Sequence, residues 1–111
     1  MGVLYVQASF KNSRIAARKP TTSAVTFPVT VPADGLNHQI VPADTTRTYI
    51  TVRNTSTSDD MRYGYTDDPL LNINGQLMKH DEAGDLESPT GIWARNIGAA
   101  AILVLCDEGH G

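Results

Sequence analysis

Apolar and polar residues alternate one for one over several short stretches of this chain, and each stretch is closed by proline, glycine, asparagine or aspartate. From Ala24 onward, Val25, Phe27, Val29 and Val31 fall on one face and Thr26, Pro28, Thr30 and Pro32 on the other, the period of a half-buried strand. Pro28 and Pro32 have no backbone donor, which predicts that this strand lies at a sheet edge or pairs on one side only. Ala33-Asp34-Gly35 reads as a turn, and a second strand runs from about Leu36 to Val41 before Pro42-Ala43-Asp44 stops it. Over Arg47 to Asn54, Thr48, Ile50 and Val52 share one face and Arg47, Tyr49, Thr51 and Arg53 the other; the β-branched and aromatic content favours a strand. Beyond the polar loop Thr55 to Asp60, Met61 to Thr66 alternates again, with Met61, Tyr63 and Tyr65 on one side.

The same grammar continues to the end. Asp67-Asp68-Pro69 closes one strand, Gln76 to His80 reads as a short strand, and Asp81 to Asp85 as an acidic turn. Ser88-Pro89-Thr90-Gly91 is another turn, Ile92 to Asn96 a strand, and the final strand is expected from Ala99 or Ala100 to Cys106. That strand is apolar on both faces, so it is either central and covered on both sides or turns one face to another subunit. Its alanine-rich start suits close packing. Seven to eight short strands without a long amphipathic helix predict an all-β chain, a small antiparallel β-sandwich of jelly-roll type over residues 25–111. Residues 1–24 read as a basic N-terminal arm or linker, in which Val3 to Val6 could make one short strand and Arg14 to Lys19 a helical turn.

Composition sharpens this picture in three ways. At 111 residues the chain supports one core. Its few aromatics (Tyr5, Phe10, Phe27, Tyr49, Tyr63, Tyr65, Trp93) leave that core to Val, Ile, Leu and Ala. The net charge of −3 is unevenly placed: residues 1–33 carry Lys11, Arg14, Arg18 and Lys19 and no acid, whereas all twelve acids lie beyond. A basic leader on an acidic body is the pattern of an arm that docks elsewhere, or of a tail kept soluble by its charges. The acidic body argues against a dedicated nucleic-acid binder. Cys106 is the single cysteine, which excludes an internal disulfide, and in its apolar run it reads as a small buried hydrophobe. The N-terminus lacks the pattern of a signal peptide and no run is long enough to span a bilayer, so no membrane partner is expected and the Asn54-Thr55-Ser56 sequon reads as accidental.

The residues offer little catalytic chemistry. There is no Gly-x-Ser-x-Gly elbow and no phosphate-cradling glycine loop. His38, His80 and His110 are far apart in sequence and lack the spacing of zinc ligands; His110, next to the C-terminal residue, is expected to be loose. Asp59-Asp60, Asp67-Asp68, and Asp81-Glu82 with Asp85 and Glu87 are oxygen-rich clusters from which a Ca²⁺ site could be assembled, although solvated surface is the plainer reading. Tyr63-Gly64-Tyr65 beside Arg62 fits either a base-stacking platform or, more simply, one filled face of a sheet. Trp93 beside Arg95 fits an interface anchor or a core residue. No enzyme activity, catalytic residue or cofactor is expected.

Val41-Pro42-Ala43-Asp44-x-x-Arg47-Thr48-Tyr49-Ile50-x-Val52-x-Asn54-x-Ser56, followed by Tyr63-Gly64-Tyr65, Pro89-Thr90-Gly91-Ile92-Trp93-Ala94 and Ala101-Ile102-Leu103-Val104-Leu105, resembles a group of small virion proteins of tailed bacteriophages. The resemblance covers roughly residues 40–105 and is one of strands and turns around a small β-sandwich; the first 39 residues take no part in it. It implies a capsid decoration (cement) protein, a head-fibre base or another accessory part of the particle, commonly a homotrimer. The expected partners are then the major capsid protein and further copies of the chain, and the expected location is the capsid surface after assembly in the bacterial cytoplasm. The leader residues Lys11, Arg14, Arg18 and Lys19 are the expected capsid-docking arm, and Trp93, Ile102 and Leu103 the expected subunit interface. Two alternatives stay open. One is a carbohydrate- or receptor-binding module of a fibre or tail, using Tyr63, Tyr65 and the acidic loops; the other is a head–tail connector or tail-completion protein.

Overall fold

The computed structural model describes residues 21–87 and 89–111. The extended arm expected in the leader, with Lys11, Arg14, Arg18 and Lys19, lies outside the described residues. Among the described residues eight strands follow in order: β1 (Ser23–Val31), β2 (His38–Val41), β3 (Arg47–Asn54), β4 (Met61–Gly64), β5 (Gln76–Met78), β6 (Ala83–Asp85), β7 (Ile92–Asn96) and β8 (Ile102–His110), with a four-residue helix, α1 (Leu71–Asn74), between β4 and β5. They form two four-stranded sheets, β1-β8-β3-β6 and β2-β7-β4-β5. The antiparallel pairs β1·β8, β2·β7, β3·β6 and β4·β5 are nested one inside the next. That nesting is what results when one long hairpin is rolled up, and it defines the eight-stranded jelly roll that the turn spacing predicts.

The alternation decides what fills the space between the sheets. Val31, Ile50, Val52, Ile102, Val104 and Cys106 point inward from one sheet, and Ile40, Met61, Met78, Ile92 and Ala94 from the other; each keeps 3% or less of its surface exposed. Phe27, Val29, Tyr63, Tyr65 and Leu86 pack around this cluster. Among the described residues β1 is an edge strand paired only with β8, in keeping with its two prolines.

The last strand is shifted from its expected place. Ala99 to Ala101 are exposed and lie outside it, and β8 runs on through Asp107 to His110. Two side chains claim the backbone of the alanine segment: the Ala99 amide donates to Asp59 Oδ1 at 2.9 Å, and Asn96 Nδ2 donates to the Ala100 carbonyl at 2.7 Å. At the other end the polar residues stay in strand because β1 and β3 pair with them from both sides. His110, expected to be loose, is the last residue of this doubly paired strand. Ala83–Asp85, expected within a turn, forms a short edge strand on β3; the turn itself is centred on His80 and Asp81, the latter at φ 59°, and is closed by the Glu82 amide donating to the Lys79 carbonyl at 3.2 Å.

One further departure moves a side chain from one face to the other. Simple alternation puts Arg47 on the same face as Tyr49, but the register shifts between them, with Arg47 opposite His110 and Tyr49 opposite Gly109. The extra residue turns Arg47 toward Glu108, and only 3% of it is exposed.

Candidate functional site

The outer face of the sheet β1-β8-β3-β6 carries the most open apolar surface on a central strand. Along β8, Leu103, Leu105, Asp107 and Gly109 alternate with the buried Ile102, Val104, Cys106 and with Glu108. Leu103 and Leu105 remain 45% and 38% exposed although both neighbouring strands are in place, because nothing described packs over this sheet. Thr30 and Pro28 of β1 flank them on one side, and Arg53 of β3 flanks Leu105 on the other. Farther along, the face turns polar: Thr26 Oγ1 donates to Asp107 Oδ1 at 3.2 Å, Thr51 Oγ1 to Asp85 Oδ1 at 2.7 Å, and Arg53 Nη2 to Asp81 Oδ1 at 2.8 Å.

The first described residues lie at the far end of this same row. A Cβ at Gly109 would collide with the Tyr49 ring and with Cγ2 of Thr21, so both lie on the outer face directly over Gly109. Thr21 Oγ1 is 2.6 Å from Thr48 Oγ1 on β3, and the Thr22 amide donates to the His110 carbonyl at 2.7 Å. Between Ser23 of β1 and β3 the polypeptide therefore crosses the end of β8, and only glycine at position 109 lets it pass so closely.

On the inner side of that end lies a charged cluster that sequence reasoning missed. Arg47 Nε donates to Glu108 Oε1 at 3.2 Å and Nη1 to the Thr90 carbonyl at 3.0 Å, while Nη2 donates to the Pro42 carbonyl. Glu108 Oε2 is 2.8 Å from His110 Nε2, and His110 Nδ1 is 3.0 Å from Thr46 Oγ1. The hydrogen bonds from Thr46, with smaller help from His110 and Arg47, hold the Asp44 carboxyl below its usual range. Arg47 thereby ties together the 42–44 turn, the 90 loop and the end of β8. The sequence carried no signal for it, because the register shift that turns Arg47 inward is invisible to alternation.

Two buried asparagines organise the opposite end. Asn54 Nδ2 donates to the Asp59 carbonyl at 2.9 Å while its Oδ1 accepts from the Ser56 amide at 2.9 Å. Asn96 likewise donates to the Val31 carbonyl at 3.1 Å and accepts from the Gly98 amide at 2.7 Å. Asn54 has no exposed surface, so the sequon amide is spent inside the fold.

The residues singled out from the sequence fall in different places. Trp93 is half-buried on the outer side of the second sheet, between Gln39 and Gly64. Its neighbour Arg95 is engaged by Asn37 Oδ1 (2.8 Å), Asn72 Oδ1 (3.0 Å) and the Pro69 carbonyl (3.2 Å). Leu103 lies in the open row. Ile102, expected at a subunit interface, has no exposed surface and packs in its own core, so that expectation is corrected: of the two neighbours, alternation leaves only Leu103 to meet another molecule. Tyr63 and Tyr65 meet edge to face at 6.5 Å and pack against the core, where burial pushes the Tyr63 phenol upward. Each histidine has its own carboxylate, His38 with Asp34 at 2.9 Å, His80 with Asp60 at 3.0 Å and His110 with Glu108. Among the described residues no three His, Cys, Asp or Glu side chains are grouped so as to hold a metal ion. Burial raises the Cys106 thiol to about 11.

No protein-family model and no curated protein matches the chain. Among solved structures it is similar to the cupin domain of Schizosaccharomyces pombe Cnp3, with a TM-score of 0.56 and 15% identity over 84% of this chain. The fold is a cupin-like jelly roll. The match spans 57% of the length of that cupin domain. The protein NMB1881 from Neisseria meningitidis aligns over 88% of this chain and 94% of its own, at 12% identity and a TM-score of 0.43. At 15% identity the likeness to the cupin domain describes the fold alone.

Proposed function

We propose that this protein is a virion structural protein that decorates the head of a tailed bacteriophage, binding the assembled major capsid protein lattice and stabilising it. The observation that carries the reading is the Leu103–Leu105 row, an open apolar strip on a central strand whose other face is fully packed. Exposed strips of this kind, rimmed by polar residues, mark surfaces that meet other proteins. The family resemblance over residues 40–105 supplies the particle. The mechanism is mass action: a protein that binds the expanded shell but not its dissociated or unexpanded forms shifts the equilibrium toward the shell. The row contacts the shell or a neighbouring copy, and the basic leader residues Lys11, Arg14, Arg18 and Lys19 add attraction toward an acidic partner.

The test mixes the protein with expanded heads built from the capsid protein encoded with it and measures occupancy by co-sedimentation and electron microscopy. Many regularly spaced copies and a raised shell melting temperature are the expected result. A single ring per particle would move the assignment to a connector, and no occupancy on heads of any maturation state would sink it.

A further inference from the structure

We infer that Arg62 and Arg95 form an oxyanion site on the outer face of the sheet β2-β7-β4-β5, and that it takes an aspartate or glutamate carboxylate of a partner protein. The register sets Arg62 of β4 directly opposite Arg95 of β7. Both are half-buried and point away from the core, since Met61, Ala94 and Asn96 beside them are buried. Like charges directly opposite one another destabilise an antiparallel pair, the more so where water is partly excluded. Among the described residues the arginine ion pairs are those of Arg47 with Glu108 and Arg53 with Asp81, so Arg62 and Arg95 face each other without a carboxylate.

Their hydrogen bonds show where an anion fits. Arg95 is held by neutral acceptors alone, the side-chain oxygens of Asn37 and Asn72 and the Pro69 carbonyl. Arg62 is less satisfied. Its Nη1 donates to the Gly75 carbonyl at 2.9 Å, whereas Nε is buried with no acceptor and Nη2 makes no hydrogen bond among the described residues. Nε and Nη2 share one edge of the guanidinium, the edge that binds both oxygens of a carboxylate in a side-on fork. Because Nε is shielded from solvent, the incoming oxygen meets Nη2 first, and a small turn of the side chain brings Nε to the second.

The neighbouring acids are committed elsewhere. Asp60 accepts from the His80 amide and ring, Asp68 from the Leu70 amide and Asn74 Nδ2, and Asp67 from Asn37 Nδ2. On its other side Arg62 faces Leu77 of β5, which is 42% exposed. A carboxylate carried by a peptide can lay apolar atoms on Leu77 while it bonds Arg62; inorganic phosphate gains nothing there. Two cations without an acid complement an acidic segment. The site lies on the sheet opposite the leucine row, so the inference goes beyond the proposed shell attachment and stands whether or not a capsid is the partner.

The experiment labels the full chain with heavy nitrogen and follows the Nε–H signal of Arg62, assigned through its side-chain bonds, by NMR. The probes are sodium acetate, inorganic phosphate, the peptide acetyl-Leu-Glu-Leu-amide and its glutamine counterpart, with sodium chloride as the ionic-strength control. The glutamate peptide should shift the signal saturably at about tenfold lower concentration than acetate, and Leu77→Ala should remove most of that advantage. The glutamine peptide and sodium chloride should leave the signal in place. No saturable shift with either carboxylate, or a shift that sodium chloride reproduces, would overturn the site. Phosphate binding more tightly than the glutamate peptide would overturn its assignment to a protein carboxylate.

Discussion

The two faces of the sheet β1-β8-β3-β6 are built from the same strands yet answer to different demands. On β8, Ile102, Val104 and Cys106 have no exposed surface, whereas Leu103 and Leu105, each one residue along, keep 45% and 38%. Both sets are aliphatic or nearly so, and both are flanked by paired strands. What separates them is the second sheet, which closes one face and leaves the other without a described cover. The inner face holds the fold together; the outer leucines contribute little to it, and the contact surface proposed above rests on their exposure on a central strand.

Substitutions can break this contrast or sharpen it. Ile102→Ala should cost about 4 kcal/mol, since a fully packed position cannot collapse around the cavity, read as a fall in the denaturant midpoint. Glu108→Ala should cost about 3 kcal/mol, because it strips the buried Arg47 guanidinium of its carboxylate. Asn54→Ala, which leaves the Ser56 amide and the Asp59 carbonyl without their side-chain partner, should cost about 2 kcal/mol. Comparable losses from Leu105→Ala would erase the distinction between the faces; the expectation there is under about 0.5 kcal/mol.

Acid should act at the loops rather than on either face. Hydrogen bonds from the Ala99 amide to Asp59, from His80 to Asp60, from His38 to Asp34 and from the Leu70 amide to Asp68 lower these carboxyls below 3.8. A group whose folded value is depressed stabilises the fold above its unfolded value and loses that contribution as pH falls through the folded one. Thermal melts should therefore be flat near neutrality and decline below about pH 4, with Asp59→Asn removing part of the acid limb.

How far the molecule was legible depended on whether a residue obeys the period of two. β3 and β7 stand where alternation puts them, and the edge position of β1 follows from Pro28 and Pro32 alone. Alternation fails where a side chain reaches across to a distant backbone. Asp59 and Asn96 take up Ala99 and Ala100, residues whose composition suits a strand, while Asp107 to His110 become strand only because two neighbours pair with them. The bulge at Arg47–Thr48 had no local signature and inverted one residue's orientation, and with it the buried ion pair at that end. For the candidate site, Leu103 was readable as one half of a two-faced strand. Ile102 was assigned to the same surface because a strand apolar on both sides does not say which side is closed. Leu105 and the crossing of Thr21 over Gly109 became visible only with the register in hand.

The central claim, that the outer leucine row is a contact surface and not part of the folding core, is tested most directly on one variant. Leu103→Asp with Leu105→Asp should melt within a few degrees of the wild-type protein and yet lose most of its occupancy on expanded heads. Wild-type occupancy at an unchanged melting temperature would contradict the account.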